Sequence, residues 1–163
     1  MSTPMILERC QHGEINESSV THGEAGVGVY AFVPNSGMRT YYTSQGETCW
    51  RLELKDGFVA DLSRGALLVD LVSFARGQVL ENANRIPGYV APRITTTNIQ
   101  RYGRLVEMYV RSQLPDAKAY LVPHCGPGIP TGVQAVIRDL SAFEITLHEY
   151  RKRANSAPRR PGP

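Results

Sequence analysis

The chain has 163 residues, 42% of them hydrophobic, and a formal net charge of +3. That is one domain of ordinary size with enough apolar mass for a core. It has no apolar run long enough to cross a bilayer as a helix, and no charged start followed by an apolar segment such as a secretory signal carries. Three cysteines, Cys10, Cys49 and Cys125, are an odd number without a CxxC pair, so neither a disulfide framework nor a zinc site is expected, and a reducing intracellular setting, cytoplasmic or nuclear, is the default.

In chain order, Met5 to Gln11 predicts a first strand. A polar, serine-rich stretch follows from Glu14 to Glu24. Val27 to Val33 is β-rich, glycine-flanked and ended by Pro34, and Asn35-Ser36-Gly37 is a turn signal. Cys49 to Leu54 alternates apolar and polar residues as a half-buried strand does. Asp56-Gly57 reads as a hairpin turn that returns the chain through Phe58 to Leu62.

The period then changes. Leu67, Leu68, Leu71, Val72, Phe74, Ala75 and Val79 predict a buried helix over Ala66 to Leu80, with Ser63 as its cap. Ile86 to Arg93 reads as a loop. Asn98 is placed to cap a second helix whose apolar face is Ile99, Tyr102, Leu105, Val106, Tyr109 and Val110, stopped at Leu114-Pro115. Ala117 to Val122 and Val133 to Arg138 read as strands flanking a rigid loop, Pro123 to Pro130. Ala142 to Leu147 reads as a strand or short helix.

Residues 1–150 form the predicted domain and 151–163 a basic Pro/Arg-rich tail. The tail carries five cations and no acid; removing these from the 18 basic residues leaves the body with 13 against 15 acidic. So proline-rich a segment is expected to be disordered, as a solvated tail or the remnant of a longer chain, with contact to a phosphate backbone as the sharper reading.

The chemistry-bearing pattern lies in three separated pieces. The first is Arg9-Cys10-Gln11-His12-Gly13-Glu14. The second is Gly26-Val27-Gly28-Val29-Tyr30-Ala31-Phe32, with Tyr41 eleven residues after Tyr30 and Tyr42 next to it. The third is Gln134-Ala135-Val136-Ile137-Arg138-Asp139-Leu140-Ser141-Ala142-Phe143-Glu144-Ile145. Together they resemble the ADP-ribosyltransferases of the poly(ADP-ribose) polymerase type, over roughly residues 6–62 and 117–147. The resemblance implies an α+β fold: a split β-sandwich of two packed, mostly antiparallel sheets forming a cleft, with two helices inserted. It also implies NAD as co-substrate.

In such proteins a histidine orients the nicotinamide ribose, the next glycine holds the carboxamide through its backbone, and two tyrosines sandwich the nicotinamide. A glutamate binds a ribose hydroxyl and stabilises the oxocarbenium-like transition state, so the logic is orientation plus electrostatic stabilisation. Carried over, these roles fall to His12, Gly13, Tyr30, Tyr41 (or Tyr42, if the register slips by one) and Gln134. His12 is chosen over His22 because only 8 residues separate His22 from Tyr30, which leaves no room for a separate strand.

Three positions depart from the family pattern. Gln134 replaces the glutamate and is neutral, Met38 replaces a serine that bonds the carboxamide, and Glu14 replaces a small hydroxyl residue. Members without the glutamate transfer a single ADP-ribose or are inactive. The expected activity is therefore mono-ADP-ribosyl transfer, a pentosyl-type glycosyltransferase reaction, to a protein or nucleic-acid acceptor, by a monomer with no membrane partner. The alternatives are an inactive NAD- or ADP-ribose-binding module, and a nucleic-acid-associated domain using the basic tail. The cholera-toxin branch is rejected, because Thr131 to Leu140 holds no Glu-x-Glu.

Arg39 is a candidate to neutralise the NAD pyrophosphate. Asp61, Asp70 and Glu47 read as isolated acids. His124 and Cys125 are adjacent on an extended chain and point apart, so they make no catalytic pair. There is no phosphate loop, no Gly-x-Gly-x-x-Gly and no HExxH spacing.

Overall fold

The computed structural model describes residues 5–23, 25–34, 48–126 and 129–149. Its strands are β1 (Ile6–Gln11), β2 (Val20–Gly23), β3 (Gly26–Phe32), β4 (Thr48–Leu54), β5 (Phe58–Asp61), β6 (Ala117–Gly126), β7 (Ile129–Ile137) and β8 (Phe143–Glu149). Two helices, α1 (Gly65–Arg85) and α2 (Gly103–Gln113), lie between β5 and β6. The architecture is mixed α and β, as expected, but the strands make one eight-stranded sheet rather than two packed ones, in the order β5-β6-β7-β3-β1-β4-β8, with β2 added on β3.

The sheet curls on itself. Leu7, Val29, Leu52, Leu121, Ile137 and Phe143 come from strands spread along that order, yet they pack in one cluster inside the curl. The helices cover the outside of the β5 to β3 half, where Leu62, Leu71, Val72, Ala75, Val106, Tyr109, Tyr120 and Val136 form a second core. Tyr109 is buried between the helices. Its ring meets Phe74 edge-on at 5.4 Å, and its hydroxyl donates to Asp70 at 2.6 Å. Burial and then this bond push the Tyr109 phenol up to about 12.

Four local expectations are corrected. Asp56-Gly57 turns the chain, with Gly57 at φ +84, but makes no hairpin: β4 pairs with β1 and β8, whereas β5 pairs parallel with β6. A parallel pair needs a long crossover, which the two helices provide. Ser63 does not cap α1. Its hydroxyl donates to Asp61 Oδ1, and Arg64 at the cap position makes no side-chain capping bond, its Nε donating to Asp61 Oδ2 at 3.2 Å instead. Asn98 precedes only a single 3-10 turn, because its side chain is used by Thr95 N–H and the Arg93 carbonyl; α2 begins at Gly103. The stretch from Pro123 to Pro130 is largely strand, with β6 running on to Gly126 and β7 starting at Ile129. Asp61 and Asp70 are also not isolated, since both accept bonds within the core and its rim.

The cysteine expectation is overturned more fully. Cys10 and Cys49 face each other across the β1–β4 ladder and are joined by a disulfide. The register puts the two Cα atoms 4.0 Å apart, within reach of a bond that a separation of 39 residues conceals in the sequence. The bonded pair, covered by Phe32, removes the cysteine-based ground for expecting a reducing compartment. Among the described residues no helix is long and apolar enough to cross a membrane.

Candidate active site

The strands carrying the three pieces of the pattern lie side by side, in the order β7-β3-β1. Tyr30 pairs with Val136 and Phe32 with Gln134. Side chains two apart share a face, so Tyr30 and Gln134 are diagonal neighbours on the outer face of the sheet, about 7–8 Å apart. Gln134 is buried there, only 6% exposed, whereas Tyr30 is half-buried.

His12 and Gly13 form a bend just past the end of β1, and both are exposed. Gly13 has φ +83, which suits glycine. A chain of side-chain bonds ties this bend to the tyrosine strand. Arg9 Nη1 donates to the Tyr30 carbonyl at 2.6 Å and Arg9 Nε to Gln11 Oε1 at 2.6 Å; Gln11 Nε2 then donates to the Glu14 carbonyl at 2.7 Å and to that of Gly13 at 3.3 Å. The Gly13 carbonyl thus already accepts one bond from within the chain.

The reason for setting His22 aside does not hold. Val20 to Gly23 is a strand of its own, with His22 opposite Val27. β2 and β1 share one side of β3, β2 along its first half and β1 at Phe32, so the sheet splits there. Both histidines are exposed.

The glycines around Tyr30 have packing roles. A Cβ at Gly23 would run into the Tyr30 ring, and one at Gly26 into the Tyr120 hydroxyl. The Tyr30 hydroxyl donates to the Gly26 carbonyl at 2.6 Å and accepts from Ala25 N–H at 3.0 Å, while Tyr120 donates to the Ala25 carbonyl at 2.6 Å. Two phenols therefore clamp the turn between β2 and β3. Burial first, then Tyr30 and Glu107, hold the Tyr120 phenol well above its ordinary value, so it stays a neutral donor.

A carboxylate that sequence reasoning did not single out lies on the same face. Glu8 is opposite Phe32, in one cross-strand row with Gln134, and is buried at 4% exposure. Its Oε2 is 3.5 Å from His148 Nε2. The available signal was alternation: Glu8 lies between Ile6 and Cys10, two residues from each, so a face holding a bonded Cys10 holds Glu8 too.

Tyr41, Tyr42, Arg39, Met38 and Glu47, the Asn35-Ser36-Gly37 turn and the tail at 151–163 lie outside the described residues. The described residues contain no group of three or more His, Cys, Asp or Glu side chains placed to hold a metal. Comparison with protein-family models, curated proteins and solved structures found no match.

Proposed function

We propose that the domain binds NAD in the manner of an ADP-ribosyltransferase-like split β fold and transfers a single ADP-ribose to a protein or nucleic-acid acceptor. The supporting observation is the adjacency of three strands. β1 leads into the His12-Gly13 bend, β3 carries Tyr30 and β7 carries Gln134, with Arg9 and Gln11 bracing the bend against Tyr30. In this reading His12 orients the ribose, Gly13 holds the carboxamide, the Tyr30 ring stacks on nicotinamide and Gln134 binds a ribose hydroxyl.

One observation favours a second reading, an inactive NAD- or ADP-ribose-binding module. Gln134 is buried and neutral, so it contributes hydrogen bonds but no stabilisation of developing positive charge. Glu8, two strands away in the same row, is the carboxylate the active reading would rely on.

NAD binding and nicotinamide release by the purified protein test both. Tyr30→Phe keeps the ring and loses the bonds to the turn, so it should lower stability by about 1 kcal/mol while retaining NAD binding. Tyr30→Ala should abolish binding. Release by the wild type that stops in Tyr30→Ala supports the transferase, and binding without release supports the module. Absence of binding at millimolar NAD sinks both.

A further inference from the structure

A cavity of about 210 Å³ opens where α2 meets the start of β3, lined by Val27, Glu107, Arg111, Tyr120 and Arg138. Its polar groups are positioned by the fold. Arg138 Nη1 donates to the carbonyls of Ala117 at 2.8 Å, Pro115 at 3.2 Å and Leu114 at 3.5 Å, where α2 ends. One nitrogen thus anchors the guanidinium, and its Nε and Nη2 make no hydrogen bond among the described residues. Glu107 Oε2 accepts from Val27 N–H at 3.3 Å, while its Oε1 stands 4.0 Å from Arg111 Nη2. That last contact is too long to saturate the Arg111 guanidinium.

Two guanidiniums from different elements, one on a helix and one at a strand end, therefore border the cavity against a single carboxylate. Neutral Tyr120 adds no charge. The balance in the cavity is one positive charge, with forked donors approaching from two directions. This suits a tetrahedral oxyanion, whose oxygens are not coplanar, better than a planar carboxylate. The volume is below that of a drug-sized pocket and admits a phosphate with a few carbon atoms. The Glu107 carboxylate can accept from a ligand hydroxyl.

We propose that this cavity binds the phosphate group of a small hydroxylated phosphate monoester. The cavity shares no side chain with the proposed nicotinamide site, so the two readings stand or fall separately.

Titration calorimetry with inorganic phosphate and with glycerol 3-phosphate tests it. Both should bind saturably, the ester more tightly. Arg111→Gln, at an exposed position that folding does not need, should weaken both by about tenfold. Glu107→Gln should tighten phosphate and erase the preference for the ester. Arg138→Lys should also weaken binding, and if it fails to fold, Arg111→Gln still decides. Lack of saturable binding by either probe would overturn the proposal, as would equal affinities in wild type and Arg111→Gln.

Discussion

At the β5–β6–β7 end of the sheet, cohesion comes from two helices that bury a contiguous apolar layer, with the Tyr109 hydroxyl tied to the Asp70 carboxylate and the Tyr120 hydroxyl to the Ala25 carbonyl. At the β1–β4 ladder the same outer face carries Cys10, Cys49 and Phe32 as a small cluster, beside the buried carboxylate of Glu8. A covalent bond there does what the helices do at the other end. The first region is held by area removed from water, the second by limiting the freedom of the unfolded chain. The two should fail under different conditions.

The largest expected effect breaks the second region alone. Replacing Cys10 and Cys49 by serine, or reducing the bond, opens a loop of 39 residues and should cost roughly 4 kcal/mol, read as a lower urea midpoint. An unchanged midpoint under reductant would mean that the ladder does not depend on the bond.

Next comes the tyrosine clamp. Gly26 has φ +119, and its missing Cβ makes room for the Tyr120 hydroxyl. Gly26→Ala should therefore cost about 3 kcal/mol. Adding Tyr120→Phe removes the obstructing oxygen, so the double variant should be less destabilised than the sum by about 1 kcal/mol. Strict additivity would show that backbone strain, not the close approach, is what glycine relieves.

The smallest effect sharpens the contrast at the rim. Asp139 accepts from Ser141 and from Lys118, and these bonds hold its carboxyl below the ordinary value. A depressed folded value means stability that is present above the unfolded carboxylate value and lost as pH falls through the folded one, below about pH 4. The group is well exposed, so Asp139→Asn should flatten the acid limb of a stability-against-pH curve only slightly. A large flattening would mean that this rim carries more of the fold than its exposure suggests.

Elements with their own periodicity were legible in the sequence. β3 is β-rich between glycines, β4 alternates, and α1 and α2 show helical stripes. What could not be read is what depends on partners far along the chain. β2 is exposed at all four positions, so it carries no apolar signal and is a strand only because β3 lies beside it. The parallel partner of β5 is encoded some 55 residues later, in β6, and Asp56-Gly57 gives no sign that the chain will leave its neighbour. The Ser63 hydroxyl goes to Asp61 instead of the helix. At the candidate site Tyr30 was found by its glycine frame, and the structure gives those glycines packing roles as well. Glu8 was passed over, because a glutamate in a strand ordinarily faces water.

β4 is inserted between β1 and β8, so one flank of it is completed only by residues 143–149. During synthesis, residues 48–54 emerge with β1 already available and wait for almost a hundred more residues before their second side is covered. Until then Trp50, Leu52 and Leu54 present an open strand edge to any extended chain nearby. Truncations that remove β8 should therefore be recovered as aggregates rather than as a smaller folded domain.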